Sequence, residues 1–388
     1  MSHLFLELGI TLAAVFAGGR AIEALGKPHF LGEIGAGVLV GPAVLGLVTP
    51  TGAIHVFATV GAASLFFHVG YADVNLDELL AVGQSSVAIA GFGMAIPFLG
   101  GVATGFAFGY SLSGAVYLAL ALSITSIAIT VRTLEYLGRA ETIYANKLIG
   151  AAILDDLAGM VGFSLLLLAT AGATGAAAGS VAWLLVRLAG FFALAAVVHL
   201  FVVDRLFARL PASDRAEGTF LAFGALLAFF GAAAEFAELH AAFGGFVAGI
   251  VASHGQREPA DHERGVSLVT FGVFAPVFFA AVGIRLDLET IAAVHPLLVI
   301  VPVVGITTKI AGGYLGNRLA GGPHGESTIV GVGMVPRTGV ELVIVSVALT
   351  RGVFDQRVYA AFVVLVVVSV LVTPLLLERL PADRSTGG

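Results

Sequence analysis

Asp155 and Asp156 stand side by side inside an apolar run, Leu148-Ile149-Gly150-Ala151-Ala152-Ile153-Leu154 before them and Leu157-Ala158-Gly159-Met160-Val161-Gly162 after. Lys147 precedes the run, and it continues apolar from Phe163 to Ala171. That is enough chain to cross a bilayer, which takes about 20 residues. A carboxylate at such depth costs roughly 2.5 to 3.5 kcal/mol on insertion scales. A second one beside it is disfavoured further, because like charges resist ionising together. Intramembrane carboxylates face a water-filled cavity or a charged partner, and their default reading is an ion or proton site. A surface loop would not be flanked by apolar residues on both sides. The counterpart is Lys309, within Val303-Val304-Gly305-Ile306-Thr307-Thr308-Lys309-Ile310-Ala311-Gly312-Gly313. An ammonium at that depth needs a carboxylate or water, and Asp155 and Asp156 are the candidates; the competing reading is a lysine that snorkels to the interface. Successive helix residues point about 100° apart. One aspartate can therefore pair with Lys309 while its neighbour faces an aqueous cavity. Hard cations take oxygen ligands, and a carboxylate that holds either a sodium ion or a proton, never both, is the smallest possible exchanger.

Two other stretches put polar groups at membrane depth. Ser123-Ile124-Thr125-Ser126-Ile127-Ala128-Ile129-Thr130 lines one span with hydroxyls, and Gly331-Val332-Gly333-Met334-Val335-Pro336-Arg337-Thr338-Gly339-Val340-Glu341 interrupts another with glycine, proline and charge. A proline in mid-helix removes a hydrogen bond and kinks the chain. Broken helices would offer free carbonyls and helix ends to an ion. Hydroxyls alone say less, since Ser and Thr back-bond within membrane helices. Arg337 and Glu341 lie four apart, the spacing of an intrahelical ion pair. Glu33 suits the N-terminal turns of a helix, and His68 and His199 read as hydrogen-bonded packing. Trp183 and Arg187 mark an interface.

The elements that must position these groups follow from composition. Of 388 residues, 58% are hydrophobic and 11% charged, the mean hydropathy is +1.02, and apolar segments recur along the whole length. This composition belongs to an all-α polytopic membrane protein. The 51 glycines fit closely packed membrane helices. No basic patch suits nucleic acid, and the absence of cysteine excludes thiolate metal sites. Arg20 follows rather than precedes the first apolar stretch, so that stretch reads as a span and not a leader. About thirteen spans are expected, near 4–25, 29–48, 53–71, 83–109, 112–136, 142–171, 178–204, 217–237, 240–254, 264–284, 293–317, 325–350 and 356–378. Gly26-Lys27-Pro28 and Leu210-Pro211-Ala212-Ser213-Asp214 are typical of the breakers between them. Arg and Lys crowd into one set of loops, which places the C-terminus in the cytoplasm and the N-terminus outside a cell membrane. Shifting the chain by about 212 residues aligns Gly32, Ala36 and Gly37 with Gly244, Ala248 and Gly249, Phe66-Phe67 with Phe278-Phe279, Gly100-Gly101 with Gly312-Gly313, and Ser126 with Thr338. The copies are an odd number of spans apart. The expected fold is thus an inverted-topology repeat with two broken helices crossing at the midplane.

Asp155-Asp156 in a span, Lys309 in the later half, and Pro28-His29-Phe30-Leu31-Gly32-Glu33-Ile34-Gly35-Ala36-Gly37-Val38-Leu39-Val40-Gly41-Pro42 resemble the sodium/proton antiporters of the second cation/proton antiporter family, the NapA type. The resemblance covers nearly the whole chain. It implies an electrogenic secondary antiporter working by alternating access. No cofactor is implied; Na⁺ (or Li⁺ or K⁺) and H⁺ are cargo, and the partners are membrane lipid and a second copy in a homodimer. It implies a moving core, 83–171 with 293–378, a dimerisation side, 1–71 with 217–284, and a linker helix, 178–204. By motif Asp156 resembles the ion-binding carboxylate and Asp155 the partner of Lys309. Asp156, Asp155 and Thr125 would then ligate the cation, with Ser126, Arg337 and Glu341 in support. Relatives often carry Gly-Glu directly after the arginine, whereas this chain reads Thr338-Gly339-Val340-Glu341. A potassium/proton antiporter of the same family is the nearest rival, though such relatives often replace the first acid by Gln. A channel would need carbonyl or charged rings along a continuous pore. An intramembrane aspartyl protease needs its two carboxylates on separate helices.

Overall fold

The computed structural model describes residues 4–50, 52–68, 70–71, 83–125, 134, 139, 142–171, 179–203, 205, 215–237, 241–253, 259–293, 295–337 and 340–380. Every regular element among them is helical. In chain order these are α1 (Leu4–Glu23), α2 (His29–Val40), α3 (Gly52–His68), α4 (Gln84–Ala107), α5 (Leu112–Ser123), α6 (Ile143–Ala171) and α7 (Gly179–Val197), the last continued by a π-helical turn, Val198–Val203. Then come α8 (Arg215–Phe236), α9 (Ala241–Ser253) and α10 (Pro259–Val269), which passes through a π-helical turn, Thr270–Phe274, into α11 (Ala275–Ile284). The short α12 (Leu288–Ala292) precedes α13 (Leu297–Leu319), α14 (His324–Gly333), α15 (Val340–Thr350) and α16 (Gln356–Arg379). Six of the described helical stretches are long and apolar enough to cross a membrane, among them α4, α13 and α16, and several shorter apolar helices accompany them.

One departure from the sequence reading and two expected breaks have local causes. The second span was expected to reach residue 48, but α2 stops at Val40. Gly41 is extended, at φ −73° and ψ 177°, because the residue before a proline is pushed out of the helical region and Pro42 follows. The chain then folds back, with the Leu47 and Val48 N–H groups donating to the Val40 carbonyl. The fifth span breaks after Ser123, where Ile124 is extended at φ −80° and ψ 146°. The twelfth divides into α14 and α15 around a non-helical stretch that holds Pro336.

The chain forms two compact units, Met1–Asn75 with Ser164–Leu286, and Leu76–Phe163 with Asp287–Gly388. In the first, α2 packs on α1 and α11, and α3 packs on α9. Its crossings are backbone to backbone: a Cβ on Gly32 would strike the Gly18 carbonyl, and one on Gly244 would strike that of Phe230. Those two crossings are related by the offset of about 212 residues seen in the sequence. In the second unit the same offset relates the contact of Gly101 with Ala119 to that of Gly313 with Gly331. There α4 lies along α13, where Gly100 meets Val304 and Thr308, Gly312 meets Phe92, and Gly316 meets Ala88. Advancing along one helix means retreating along the other, so this repeat-related pair runs antiparallel.

Candidate ion-exchange site

The second unit holds the buried charge. α6 presents Asp155 and α13 presents Lys309, both with no solvent exposure, and the ammonium lies 3.0 Å from Asp155 Oδ2. Lys309 is the donor and the carboxylate the acceptor. Asp155 Oδ1 is buried and takes no hydrogen bond among the described residues. A charge-assisted bond in a dry interior is strong, but taking both ions out of water costs several kcal/mol each, so the pair is strongly held only while both partners are present.

Beside it the two helix breaks meet. The Thr125 hydroxyl donates to the Met334 carbonyl at 3.2 Å. Arg337 sends its guanidinium back to the Leu122 carbonyl, in the last turn of α5, where carbonyls lack intrahelical donors and carry partial negative charge. The Arg337 N–H donates in turn to the Ser369 hydroxyl at 3.1 Å. Thr125 and Arg337 are thus tied across from one break to the other. Arg337 Nε and Nη1 are buried and make no hydrogen bond among the described residues. The carboxylates of Glu341 and Asp155 act electrostatically on this guanidinium, which joins it to the Asp155–Lys309 pair.

One expectation needs correction. Arg337 and Glu341 were read as an intrahelical pair, yet Arg337 lies in the break and α15 begins at Val340. Pro336 cannot continue the hydrogen-bond ladder, so the chain re-enters a helix only afterwards. Glu341 then sits buried in the first turn of α15, where a carboxylate suits the helix N-terminus. The backbone of Asp156 lies on α6, and its side chain is outside the described residues, as are Ser126 and Thr338. Ser369 and the Leu122 carbonyl were not singled out from the sequence. A serine in an apolar span carries no signal of its own, and a carbonyl carries none at all.

Glu33, His68, His199 and Arg187 belong to the first unit. Glu33 is buried on α2, with its carboxylate 3.9 Å from His29 Nε2. No group of three or more His, Asp or Glu side chains capable of holding a metal ion occurs among the described residues.

The family model described as sodium/hydrogen exchanger, transmembrane, matches residues 10–380. The Na⁺/H⁺-K⁺ antiporter GerN of Bacillus cereus is 29% identical over 381 residues, covering 97% of this chain and 96% of GerN. The probable Na⁺/H⁺ antiporter GerT of the same organism is 30% identical over 376 residues, 97% of this chain and 98% of GerT. Among solved structures, the sodium proton antiporter MjNhaP1 of Methanocaldococcus jannaschii at pH 8 is similar with a TM-score of 0.66 at 15% identity, covering 98% of this chain and 99% of that one.

Proposed function

The chain belongs to the transmembrane sodium/hydrogen exchanger family, and from that membership we propose that it exchanges sodium for protons across the membrane at Asp155, Asp156 and Lys309. It is a multi-pass membrane transporter, not an enzyme. The observation that carries the reading is the buried Asp155–Lys309 pair with a second aspartate next to it on the same helix. Asp155 and Glu341 bring two negative charges, and Lys309 and Arg337 bring two positive ones, all four buried. Their formal charges cancel. Asp156, next on the same apolar helix, adds one more negative charge, and a carboxylate at membrane depth is costly without compensation. Either a sodium ion or a proton supplies the balance, and the two compete for one carboxylate. Thr125 and the carbonyls of the two breaks provide the neutral oxygens that a hard cation needs; Ser126, Arg337 and Glu341 support them.

The architecture of the cycle belongs to the same proposal. In it 83–171 with 293–378 is the moving core, 1–71 with 217–284 the dimerisation side, and 178–204 the linker helix. The antiparallel packing of α4 and α13 supports an inverted repeat, which gives the site two equivalent routes of access. The distribution of Arg and Lys supports a cytoplasmic C-terminus and an external N-terminus.

Electrogenic exchange follows if the incoming sodium ion displaces Lys309 from Asp155 and the ammonium then releases its proton. Two protons would move against each sodium ion, and the one net charge couples the cycle to membrane potential at about 2.3 kcal/mol per 100 mV. The test is purified protein in liposomes, with internal pH followed under an imposed sodium gradient. Sodium-driven proton movement that speeds or slows with imposed potential is expected, and Lys309→Gln should lose the voltage response. Wild-type exchange that ignores potential would end the electrogenic reading. Potassium is the second reading for the cargo, because GerN carries potassium in its name; a potassium gradient in the same liposomes distinguishes the two.

A further inference from the structure

Three helices of the second unit meet at two levels. At one level α6 contributes Asp155, α13 contributes Lys309, and the chain beyond α14 contributes Arg337. At the other level α6 contributes Lys147, α13 contributes Asn317, and α14 contributes Glu326. Lys147 and Asp155 are eight residues apart, as are Lys309 and Asn317, so the members of each pair lie about 12 Å apart along the helix axis and about 80° apart around it. The second level is extensively hydrogen-bonded, although Asn317 Oδ1 is buried and takes no hydrogen bond among the described residues. Lys147 Nζ lies 2.6 Å from Glu326 Oε1. Asn317 donates to the same oxygen at 3.0 Å and to the Ser327 hydroxyl at 3.0 Å. Ser327 donates to the Pro323 carbonyl at 2.8 Å, and Ser86 of α4 donates to the Lys147 carbonyl at 3.1 Å. The ion pair is 20% exposed at Lys147 and 8% at Glu326, while Asn317 and Ser327 are fully buried. An apolar layer that includes Leu148, Ala151, Ile329, Val330 and Met334 separates the two levels.

We propose that Lys147, Glu326 and Asn317 form a fixed joint that keeps α6 in register with α13 while the Asp155–Lys309 pair opens and closes. They are positioning residues and touch neither the ion nor the exchanged proton. The inference rests on the reading of Asp155, Asp156 and Lys309 as the exchange site. Opening that pair removes the polar bond that links α6 to α13 at its own level. A slip of one residue along α6 would then move Asp155 by about 1.5 Å and turn it by about 100°. One carboxylate oxygen that accepts from both helices at once prevents this without entering the chemistry. The apolar layer keeps the joint from trading protons with the site through a shared aqueous path.

The experiment compares full-length Glu326→Gln, Lys147→Met and the double variant with wild type. It measures the half-saturating sodium concentration and maximal rate of exchange in liposomes, and the sodium-dependent rise in Tm in detergent. Each single variant should raise the half-saturating sodium about tenfold, as loss of an outer-shell partner does at metal sites, with the maximal rate within about twofold. The sodium-dependent Tm rise should shrink in parallel, because it reports affinity. The double variant should be no worse than the poorer single one, since both break the same contact. Should Lys147→Met give no folded protein, Ser327→Ala removes one acceptor from Asn317 and is expected to raise the half-saturating sodium about two- to threefold. Folded variants with lowered Tm but wild-type sodium affinity would overturn the proposal, making the network structural only. Wild-type protein without sodium-driven proton movement would defeat the exchange-site reading instead, so the two failures are distinct.

Discussion

The two compact units are made of similar apolar helices, and they differ in what they bury. Among the described residues of the first, the buried polar side chains are hydroxyls such as Thr11, Ser64 and Thr270, with Glu33 the one buried carboxylate. Its helices are held by close backbone approach, as where Gly37 meets Ala280 and Gly283 meets Ile34. The second unit buries Asp155, Lys309, Glu326, Arg337 and Glu341 together with Asn317 and several hydroxyls. Small residues suffice to pack helices where lipid offers no hydrophobic drive. Buried charge is retained in spite of its desolvation penalty, and at membrane depth it marks function. The contrast is between a scaffold made by shape and a core made by charge compensation, and each expectation below is placed where it can break that contrast.

The largest effect is expected at Asp156. Asp156→Asn removes the charge that a sodium ion or proton would balance, and exchange in liposomes should fall at least about a hundredfold while the protein still purifies folded, as removal of a transition-dependent charge contact does elsewhere. Exchange at the wild-type rate would sink the assignment.

Next is Asp155→Asn, which leaves Lys309 buried without its carboxylate. Breaking a buried pair from one side costs about 3 to 5 kcal/mol. Tm should fall sharply, and adding Lys309→Met should restore much of it, since the double change removes the stranded charge. A double variant no more stable than Asp155→Asn would show that the pair does not govern stability in this unit.

In the scaffold the matching perturbation is steric. A Cβ on Gly37 would collide with the Ala280 carbonyl and its neighbouring backbone atoms. Gly37→Val should destabilise by about 1 to 3 kcal/mol, the usual range for overpacking. Sodium affinity of the folded fraction should stay at the wild-type value, and a Tm titration with sodium measures both. A change in affinity would mean that shape in the first unit also sets the ion site.

The contrast was partly legible in the sequence. An ammonium at the depth of Lys309 demanded a carboxylate, and the adjacent aspartates were the available ones. Helical geometry required that they face different ways, but it could not assign the partner. Pro336 announced one helix break, and the hydroxyl run pointed to the other. What escaped were features that depend on where a helix restarts or on which turns align. Arg337 and Glu341 have intrahelical spacing, yet the break intervenes. Lys147 read only as the cation that precedes the apolar run, although its partner Glu326 is 179 residues away. No local spacing encodes such a pair; the signal available was the recurrence of polar residues two turns from Asp155 and from Lys309.

The smallest effect is expected at Glu33, where the contrast is most exposed to refutation. It is a buried carboxylate in the unit described here as a scaffold, and it lines a cavity of about 390 Å³ together with Arg20, Glu23 and His29. On its own helix, one turn back, His29 Nε2 lies 3.9 Å from the carboxylate. That distance exceeds a hydrogen bond, and a pair one turn apart contributes only about 0.2 to 0.5 kcal/mol. Glu33 is also beyond the first turn of α2, where the favourable effect of helix-end charge has largely fallen off. Both contributions are local and small, and the isosteric amide keeps the shape. Glu33→Gln should therefore leave exchange within about twofold of wild type and shift Tm by a few degrees at most. Should Glu33→Gln abolish exchange in a protein that still folds, buried charge in the first unit would share the chemistry, and the division between scaffold and core would have to be redrawn around α2.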